Sequence, residues 1–190
     1  MTKIATQERQ TYVDMWAHPA YNDVSPGEQL LPLFLDMAHP APGATALDAG
    51  CGAGKGATAL ASAGLSVSMC DLTDAGLTPE VFGFPFVGGH PLWDKIFEDA
   101  SFDYVYCCDV LEHIPMPFTM LTVSRLLDVS RHGVFLSISM MPDNFGVLIG
   151  KTLHQSVQTF VQWRDQLDTI GVVIEARDLL HTGVYLVERR

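Results

Sequence analysis

The sequence predicts an α/β fold in which an open, mainly parallel twisted sheet is covered by helices on both faces. Three observations support this prediction. Short apolar strands alternate with helical segments from residue 45 to residue 187. A glycine-rich loop joins the first strand to the first helix of this pattern, and an acidic residue, Asp71, follows the second strand. Because such sheets bind ligands at the carboxyl ends of their strands, functional residues are expected there.

Length and composition limit the possible functions. The 190 residues are 48% hydrophobic, which suits one globular domain with a sizeable core. The formal net charge of −11 disfavours a broad contact with phosphate backbones, so no nucleic acid polymer is expected as a partner. No run of residues is long and apolar enough to cross a bilayer, and residues 1–10 lack the apolar core of a signal peptide. The expectation is a soluble, cytoplasmic protein without membrane insertion.

The four cysteines do not have the spacing of a zinc site, and they lie in apolar or glycine-rich segments. Reduced, buried thiols are therefore expected.

Residues 1–43 are expected to form a helical accessory segment, and residues 44–190 the globular domain that carries the site. Within the first segment, Ser25-Pro26-Gly27-Glu28 combines an N-cap serine, a proline at the first helical position and a capping-box glutamate. The apolar run from Leu30 to Met37 continues this helix, and prolines and a glycine at positions 40–43 end it.

The pattern of strands and helices follows in order along the second segment. The predicted strands are Thr45–Asp48, Ser66–Cys70, Phe102–Cys108, Val134–Met140, Val172–Glu175 and Val184–Val187. The predicted helices are Gly54–Ala63, Met116–Leu127 and one opened by a capping box at 159–162, along which Phe160, Trp163, Leu167 and Ile170 recur at helical spacing. Prolines and glycines interrupt residues 74–99, where one short strand, Val81–Val87, is expected.

The strongest local signal is the segment 47–54, which reads LDAGCGAG. Its glycines allow a sharp turn and leave space for a ligand, while the next helix begins with unpaired N–H groups and a positive dipole end. This arrangement suits a nucleoside cofactor that carries a carboxylate. Asp71 is placed to accept hydrogen bonds from both ribose hydroxyls, and the spacing favours it over Asp74. These residues alone also fit the dinucleotide-binding fingerprint, as Gly52-x-Gly54-x-x-Ala57.

A family resemblance distinguishes these two alternatives. The segment LDAGCGAG resembles motif I of class I S-adenosylmethionine-dependent methyltransferases, in which an acidic residue precedes the first glycine as Asp48 does here. Residues 102–115, FDYVYCCDVLEHIP, are similar to the fourth-strand motif of small-molecule methyltransferases, which often contains "LEHI". The resemblance covers residues 44–140 and fades beyond them, where Leu153-His154 and Trp163 are similar to small bacterial and phage methyltransferases of unassigned substrate. It implies a Rossmann-like class I methyltransferase fold with S-adenosylmethionine as cofactor.

The resemblance also implies positions around that cofactor. Four residues of the first loop would surround its methionine portion, namely Asp48, Gly50, Gly52 and Gly54. Asp71 would hold the ribose and Leu72 would pack on the adenine. Leu92, Trp93 and Asp94 would close the adenine pocket, and Asp109 would lie beside the sulfonium.

Two histidines are candidates for catalysis. An oxygen or nitrogen acceptor needs a base near neutral pH, and His113 follows the strand end where the cleft is expected. His154 is the second candidate, because it precedes a capped helix predicted to cover the cleft. The alternative interpretations are a capping or packing role for His113 and a solvated loop position for His154.

The set Asp109, Glu112 and His113 is similar to the acidic-histidine cluster that holds a divalent cation in some ubiquinone-pathway O-methyltransferases. Asp109 departs from this pattern, because that family usually has a longer glutamate there. We therefore predict no metal site.

The sequence thus predicts S-adenosylmethionine-dependent methyl transfer to an oxygen or nitrogen of a small molecule, or of a small group linked to a sugar or lipid. The N/D-P-P-Y/F signature of nucleic acid amino-methyltransferases does not follow the fourth strand, and no cysteine follows a proline as in cytosine-5 enzymes. Two alternatives remain: a nicotinamide-dependent oxidoreductase, and a methyltransferase-like protein that binds without catalysis. The oligomeric state is left open.

Overall fold

Seven strands form one sheet in the computed structural model, which describes residues 2–21 and 25–190. The strands are β1 (Thr45–Ala49), β2 (Ser66–Asp71), β3 (Phe86–Gly88), β4 (Phe102–Cys108), β5 (Ser130–Ser139), β6 (Val172–Asp178) and β7 (Thr182–Glu188). Their order is β3-β2-β1-β4-β5-β7-β6. Neighbouring strands are parallel from β3 through β2, β1 and β4 to β5, and β7 is antiparallel to both of its neighbours, β5 and β6.

Six α-helices accompany the sheet in the described ranges: α1 (Lys3–Trp16), α2 (Pro26–Gln29), α3 (Leu31–Ala38), α4 (Lys55–Ser62), α5 (Met116–Val129) and α6 (Phe160–Ile170). Short 3-10 turns occur at Pro19–Tyr21, Pro79–Val81, Leu111–His113 and Gly146–Ile149. None of the helices in the described part of the chain has the length and apolar character needed to cross a membrane.

The sheet separates two hydrophobic cores, because side chains alternate between its faces. On one face, Val105 and Cys107 of β4 belong to the same buried cluster as residues of α5 and α6. On the other face, Tyr106 packs with residues of α3 and α4. The predicted fold class, an open and mainly parallel sheet with helices on both sides, is thereby confirmed.

The predicted strand at Val81–Val87 is wrong in its extent. Val81 lies in a 3-10 turn, and β3 covers only Phe86–Gly88. Two prolines explain the difference, because Pro79 and Pro85 have no N–H to donate to a neighbouring strand. Pairing with β2 therefore begins directly after Pro85, where Met69 aligns with Phe86.

The predicted helix at Leu30–Met37 is also divided differently. A break at Leu30 separates α2 from α3, and Pro32 lies in the first turn of α3, where a missing N–H has no cost. Pro26 opens α2 as predicted, but the side chain of Ser25 makes no capping bond. Its backbone angles, φ −148° and ψ 80°, differ from the extended geometry of Thr159, whose side chain does cap α6.

The remaining elements follow the prediction with shifted ends. The capping box of α6 is confirmed, because the Thr159 hydroxyl accepts from the Gln162 N–H and the Gln162 side chain accepts from the Thr159 N–H. The strand β5 begins four residues earlier than predicted, at Ser130, since the chain enters the sheet directly from α5. Chain connections run in opposite directions from β1 and β4, which places a crevice at the carboxyl ends of these two strands.

Candidate active site

A cleft of about 310 Å³ lies at the carboxyl ends of β1, β2 and β4. The loops that follow these strands form its floor, and residues of α1, of the Pro19–Tyr21 turn and of the loop after β5 form its walls. Its position agrees with the expected ligand site of an open α/β sheet.

The glycine loop after β1 has a backbone that requires glycine. Gly50, Gly52 and Gly54 have φ angles of 76°, 52° and 81°, which side chains other than glycine rarely adopt. A Cβ atom at Gly50 would lie 2.5 Å from a methyl group of Val110, and one at Gly52 would lie 2.9 Å from the ring of Trp16. The loop is therefore closely packed on its protein side, and its backbone lines the cleft.

The carboxylate of Asp71 reaches this loop from the end of β2. Its Oδ2 accepts a hydrogen bond of 2.9 Å from the Gly52 N–H, and its Oδ1 accepts one of 3.1 Å from the Thr73 N–H. Burial raises the pKa of Asp71, and these backbone bonds oppose the rise. Asp71 and Leu72 line the cleft, whereas the competing Asp74 is exposed and does not.

Asp48, at the end of β1, is almost fully buried beneath the loop. Among the described residues its Oδ2 has no hydrogen-bond partner, and burial raises its pKa to about 7. A Cβ atom at Gly56 would come within 3.0 Å of this oxygen, so the first turn of α4 passes very close to the carboxylate. The site thus contains a buried carboxyl group whose hydrogen-bonding capacity is partly unused.

Of the three residues predicted to close an adenine pocket, two line the cleft. Leu92 and Trp93 are buried and line the cleft, and Trp93 stacks on Phe118 with ring centroids 4.7 Å apart. Asp94 is exposed and lies outside the lining, because a turn in which its N–H donates to Pro91 directs the chain away. The expectation for Asp94 is therefore wrong.

Asp109 follows β4 in a left-handed conformation, with φ 60°, and lines the cleft. Such a conformation is uncommon outside glycine and is found frequently at functional sites. Its N–H donates to the Ser137 carbonyl of β5, which fixes the turn. Behind it, Glu112 is fully buried and accepts from the Ser139 N–H through Oε1. Burial and the neighbouring Asp109 raise the pKa of Glu112 well above its usual range.

The structure brings the two predicted histidines together. The ring centroids of His113 and His154 are 4.6 Å apart in an edge-to-face arrangement, and both rings line the cleft. The Nδ1 of His154 lies 2.7 Å from the Met141 carbonyl, which only accepts, so Nδ1 carries a proton and the lone pair of the neutral ring is on Nε2. Burial lowers the pKa of His113 to about 4, so this ring is neutral at physiological pH.

One group in the described part of the chain has side chains close enough to share a cation: Glu112, His113 and His154, with ligand atoms within 4.8 Å of one another. Asp109, which the sequence pattern suggested as a partner, is not in this group. Burial of Glu112 raises its pKa and so disfavours the charged form, which is the form that binds a cation. The absence of a metal here stays a prediction.

An aromatic wall over the cleft was not predicted from the sequence. It consists of Tyr12, Trp16, Tyr21 and Phe145, and all four line the cleft. Trp16 packs on Tyr21 with centroids 4.8 Å apart, and Tyr21 packs on Phe145 at 5.7 Å. A signal was present, since Tyr12 and Trp16 are four residues apart in one helix and so share one face.

Two side-chain bonds tie α1 to the loop after β5. The Gln155 amide donates to Glu8 Oε2 at 2.9 Å and also contacts the His113 carbonyl at 3.1 Å. The Lys151 ammonium donates to the Thr11 hydroxyl at 2.6 Å. Through Gln155 they connect Glu8, a cleft residue that was not predicted from the sequence, to the backbone of His113.

Comparison with known proteins agrees with this geometry. Residues 47–129 match the family model described as a methyltransferase domain. Solved structures of methyltransferases superimpose on nearly the whole chain. The fold is that of the class I methyltransferases. No curated protein sequence is similar enough to match.

Three methyltransferase structures illustrate the likeness. The 1,6-didemethyltoxoflavin-N1-methyltransferase of Burkholderia thailandensis, solved with 1,6-didemethyltoxoflavin and S-adenosylhomocysteine, is 18% identical with a TM-score of 0.74, over 99% of this chain and 90% of that one. Magnesium protoporphyrin IX methyltransferase from Synechocystis PCC 6803, solved with S-adenosylmethionine, is 19% identical with a TM-score of 0.71, over 100% and 99%. Haemonchus contortus phosphoethanolamine N-methyltransferase 2 is 23% identical with a TM-score of 0.67, over 83% of this chain and 40% of that one.

The prediction of a methyltransferase is thus confirmed at the level of the fold and the matched domain. The matched domain contains the glycine loop, Asp71, Asp109 and His113, but it ends before His154. The aromatic wall and Glu8 also lie outside it. One side of the cleft therefore belongs to the matched domain, and the other side is built mainly from segments outside it.

Proposed function

We propose that the protein transfers the methyl group of S-adenosylmethionine to an oxygen or nitrogen atom of a small acceptor, free or linked to a sugar or lipid. The observation that carries this proposal is the glycine loop after β1, which the Asp71 carboxylate holds by a hydrogen bond at the mouth of the sheet. It lies within the matched methyltransferase domain.

The residues present fit this cofactor. Gly50 and Gly52 place backbone alone between the chain and the cleft, whereas Gly54 lies outside the lining and packs on Val81. Asp71 lies where a ribose would be held. Asp48 offers a buried oxygen without a partner among the described residues, which suits the amino group of a methionine portion. Leu72, Leu92 and Trp93 supply apolar contacts for an adenine. When bound, S-adenosylmethionine supplies an electrophilic methyl group on a positively charged sulfur.

The histidines divide the work of proton removal in this proposal. His154 Nε2 is the base, because the Met141 carbonyl fixes the proton on Nδ1 and leaves the other nitrogen free. His113 is neutral and packs edge-to-face on His154, so it orients that ring and excludes water from it. Asp109, held by the Ser137 carbonyl, stands beside the reacting atoms.

The aromatic wall completes the site by excluding water. Methyl transfer needs an acceptor lone pair in line with the methyl group, and water would compete for that position. Trp16 and Tyr21 cover the glycine loop side, and Phe145 extends the cover toward the loop after β5.

The resemblance to "LEHI"-type small-molecule methyltransferases supports a small acceptor but leaves its identity open. The expected cytoplasmic location and the absence of nucleic acid partners stay predictions from composition. A nicotinamide-dependent oxidoreductase is disfavoured, because the matched domain is that of methyltransferases. A binding protein without catalysis is the remaining alternative, and the two histidines in the cleft argue against it.

Calorimetric titration with S-adenosylhomocysteine and with NADH tests the proposal. We expect micromolar binding of S-adenosylhomocysteine, about −7 to −8 kcal/mol, and no heat with NADH. Transfer of label from S-adenosylmethionine to a library of small acceptors then tests catalysis. Binding of NADH alone would contradict the assignment, and binding of S-adenosylhomocysteine without transfer to any acceptor would favour the non-catalytic alternative.

A further inference from the structure

The charges that line the cleft are of one sign. Five carboxylate side chains line it, and the described lining residues include neither lysine nor arginine. The carboxylates are Glu8, Asp48, Asp71, Asp109 and Asp143. A cavity with this lining concentrates negative potential, since its protein walls screen charge less than water does.

Three of these carboxylates already have a function in the site. Asp143 accepts backbone hydrogen bonds from Phe145, Gly146 and Leu153, and so organises the loop after β5. In the proposed function, Asp71 holds the ribose and Asp48 faces the methionine portion. Glu8 and Asp109 remain for the acceptor.

These two carboxylates are both connected to His113, Glu8 through its backbone and Asp109 through its ring. The Gln155 amide links Glu8 to the carbonyl of His113, and the charge of Asp109 raises the pKa of the same histidine against the effect of burial. The ring of Tyr12 is 5.8 Å from that of His113. We define the acceptor corner as Glu8, Tyr12, Asp109, His113 and His154.

Cationic side chains neutralise little of the negative charge in the acceptor corner. Lys151 is the cation that acts on Glu8, and its ammonium is held by the Thr11 hydroxyl outside the cleft lining. The pKa of Tyr21 is raised by burial and by the charges of Asp109 and Asp71, which reflects the negative potential across the cleft.

The acceptor corner also contains an unused hydrogen-bonding group. The hydroxyl of Tyr12 is buried and has no hydrogen-bond partner among the described residues. Tyr12 is one of the residues that line the cleft, and the charge of Glu8 acts on its hydroxyl. A carboxylate, a phenolic oxygen and an aromatic face together match the chemistry of an ammonium group, which donates up to three hydrogen bonds and is attracted by ring faces.

We propose that the acceptor is a small amine, which enters the acceptor corner as an ammonium ion. This proposal rests on the proposed function and specifies its substrate class. The ammonium donates to Glu8 and Tyr12, and His154 Nε2 then takes one proton from it. The lone pair freed on nitrogen forms the new N–C bond while the C–S bond breaks, and the electron pair of the C–S bond stays on sulfur. The products are the methylated ammonium and S-adenosylhomocysteine. Carboxylates and phosphates are repelled.

Three probes of one size and different charge test this preference: benzylamine, benzyl alcohol and benzoate. Each is titrated into the protein saturated with S-adenosylhomocysteine, and binding is measured by calorimetry and by ligand-detected NMR. We expect benzylamine to bind at least about tenfold more tightly than benzyl alcohol, and benzoate not to bind. Glu8→Gln is expected to weaken benzylamine binding about five- to tenfold and to leave benzyl alcohol unchanged.

The matched control is Glu98→Gln, which neutralises an exposed glutamate outside the cleft and should change none of the three affinities. Equal binding of benzylamine and benzoate, no binding of any probe, or equal effects of the two variants would overturn the amine proposal. Failure to bind S-adenosylhomocysteine in the first step would instead overturn the proposed function. The two failures are therefore distinguished in one experiment.

Discussion

The Oδ2 atom of Asp71 lies 2.9 Å from the backbone nitrogen of Gly52, so a residue at the end of β2 holds the loop that follows β1. The bond fixes the loop and the carboxylate relative to each other. A fixed arrangement of binding groups lowers the entropic cost of ligand binding. The bond also means that Asp71 has two separable effects, one on the loop and one on the ligand.

Replacement of Asp71 tests the position of the cofactor site. Asp71→Ala is expected to weaken S-adenosylhomocysteine binding by about 1.5–3 kcal/mol, because a buried acceptor of ribose hydroxyls and of the Gly52 N–H is lost. Asp74→Ala is the control, since Asp74 is exposed and outside the cleft. Calorimetric titration of both variants checks this, and equal affinities would show that the ribose lies elsewhere.

A substitution at Gly50 tests the packing under the loop. Gly50→Ala is expected to destabilise the protein by about 2–4 kcal/mol, because a Cβ there is strained at φ 76° and collides with Val110. Gly43 has φ 79° but open space around it, so Gly43→Ala should cost only about 1 kcal/mol. Urea unfolding measures both. Val110→Ala in the Gly50→Ala background should recover part of the loss; no recovery would contradict the collision.

The buried Asp48 predicts a pH dependence of stability. Its pKa is raised from 3.8 to about 7, so the folded protein binds a proton that the unfolded chain has released between these values. The contribution of Asp48 to the free energy of unfolding is fully present below about pH 4 and is lost as the pH rises through about 7. Asp48→Asn should therefore unfold at the same temperature as the wild type near pH 4 but at a higher one at pH 8.

Thermal unfolding across this pH range measures the effect, which is about 4 kcal/mol if the whole shift is realised. Asp74→Asn serves as the control and should show no such difference, because that side chain is exposed. A constant difference between wild type and Asp48→Asn at all pH values would mean that Asp48 does not titrate in this window.

The two histidines are expected to respond differently to glutamine. His154→Gln should lower single-turnover methyl transfer about 100-fold or more and leave cofactor affinity intact, because it removes the lone pair at Nε2. His113→Gln should cause a smaller loss of rate together with a lower melting temperature, since this ring is buried and packs on His154. The reverse order of the two rates would make His113 the base.

Removal of divalent cations is expected to have no effect. The group of Glu112, His113 and His154 contains a glutamate whose pKa is strongly raised by burial, which disfavours the charged form that binds a cation. Dialysis against EDTA should therefore leave both methyl transfer and melting temperature unchanged. A loss of activity that Mg²⁺ or Zn²⁺ restores would contradict this prediction.

The part of the site that was predictable from the sequence is the part built by short segments. The glycine loop, Asp71 and the turn at Asp109 each depend on residues next to a strand end, and strand ends are recognisable from apolar runs. The short extent of β3 was missed because the pattern of apolar residues does not show which N–H groups are absent. Pro85 lacks an N–H, and the aligned pairing of β3 with β2 begins at the next residue, Phe86.

The acceptor corner and the aromatic wall were less predictable from the sequence, because they depend on contacts between distant segments. Nothing in the local sequence indicates that Glu8 meets Gln155, or that Tyr21 packs on Phe145. The spacing of Tyr12 and Trp16 indicated one aromatic face on α1, but only the tertiary structure shows that this face covers the cleft. His113 and His154 were each predicted singly, and their contact was not.

The bond between Thr11 and Lys151 joins residues separated by 140 positions, as the bond between Glu8 and Gln155 joins residues separated by 147. Contacts of such high sequence separation carry a large loop-closure cost and are favourable only after the intervening chain is ordered. During synthesis the aromatic wall therefore has to wait for most of the chain to emerge from the ribosome. A nascent chain that stops before residue 145 lacks Phe145 and both partners of α1, Lys151 and Gln155, so the wall cannot be completed in it.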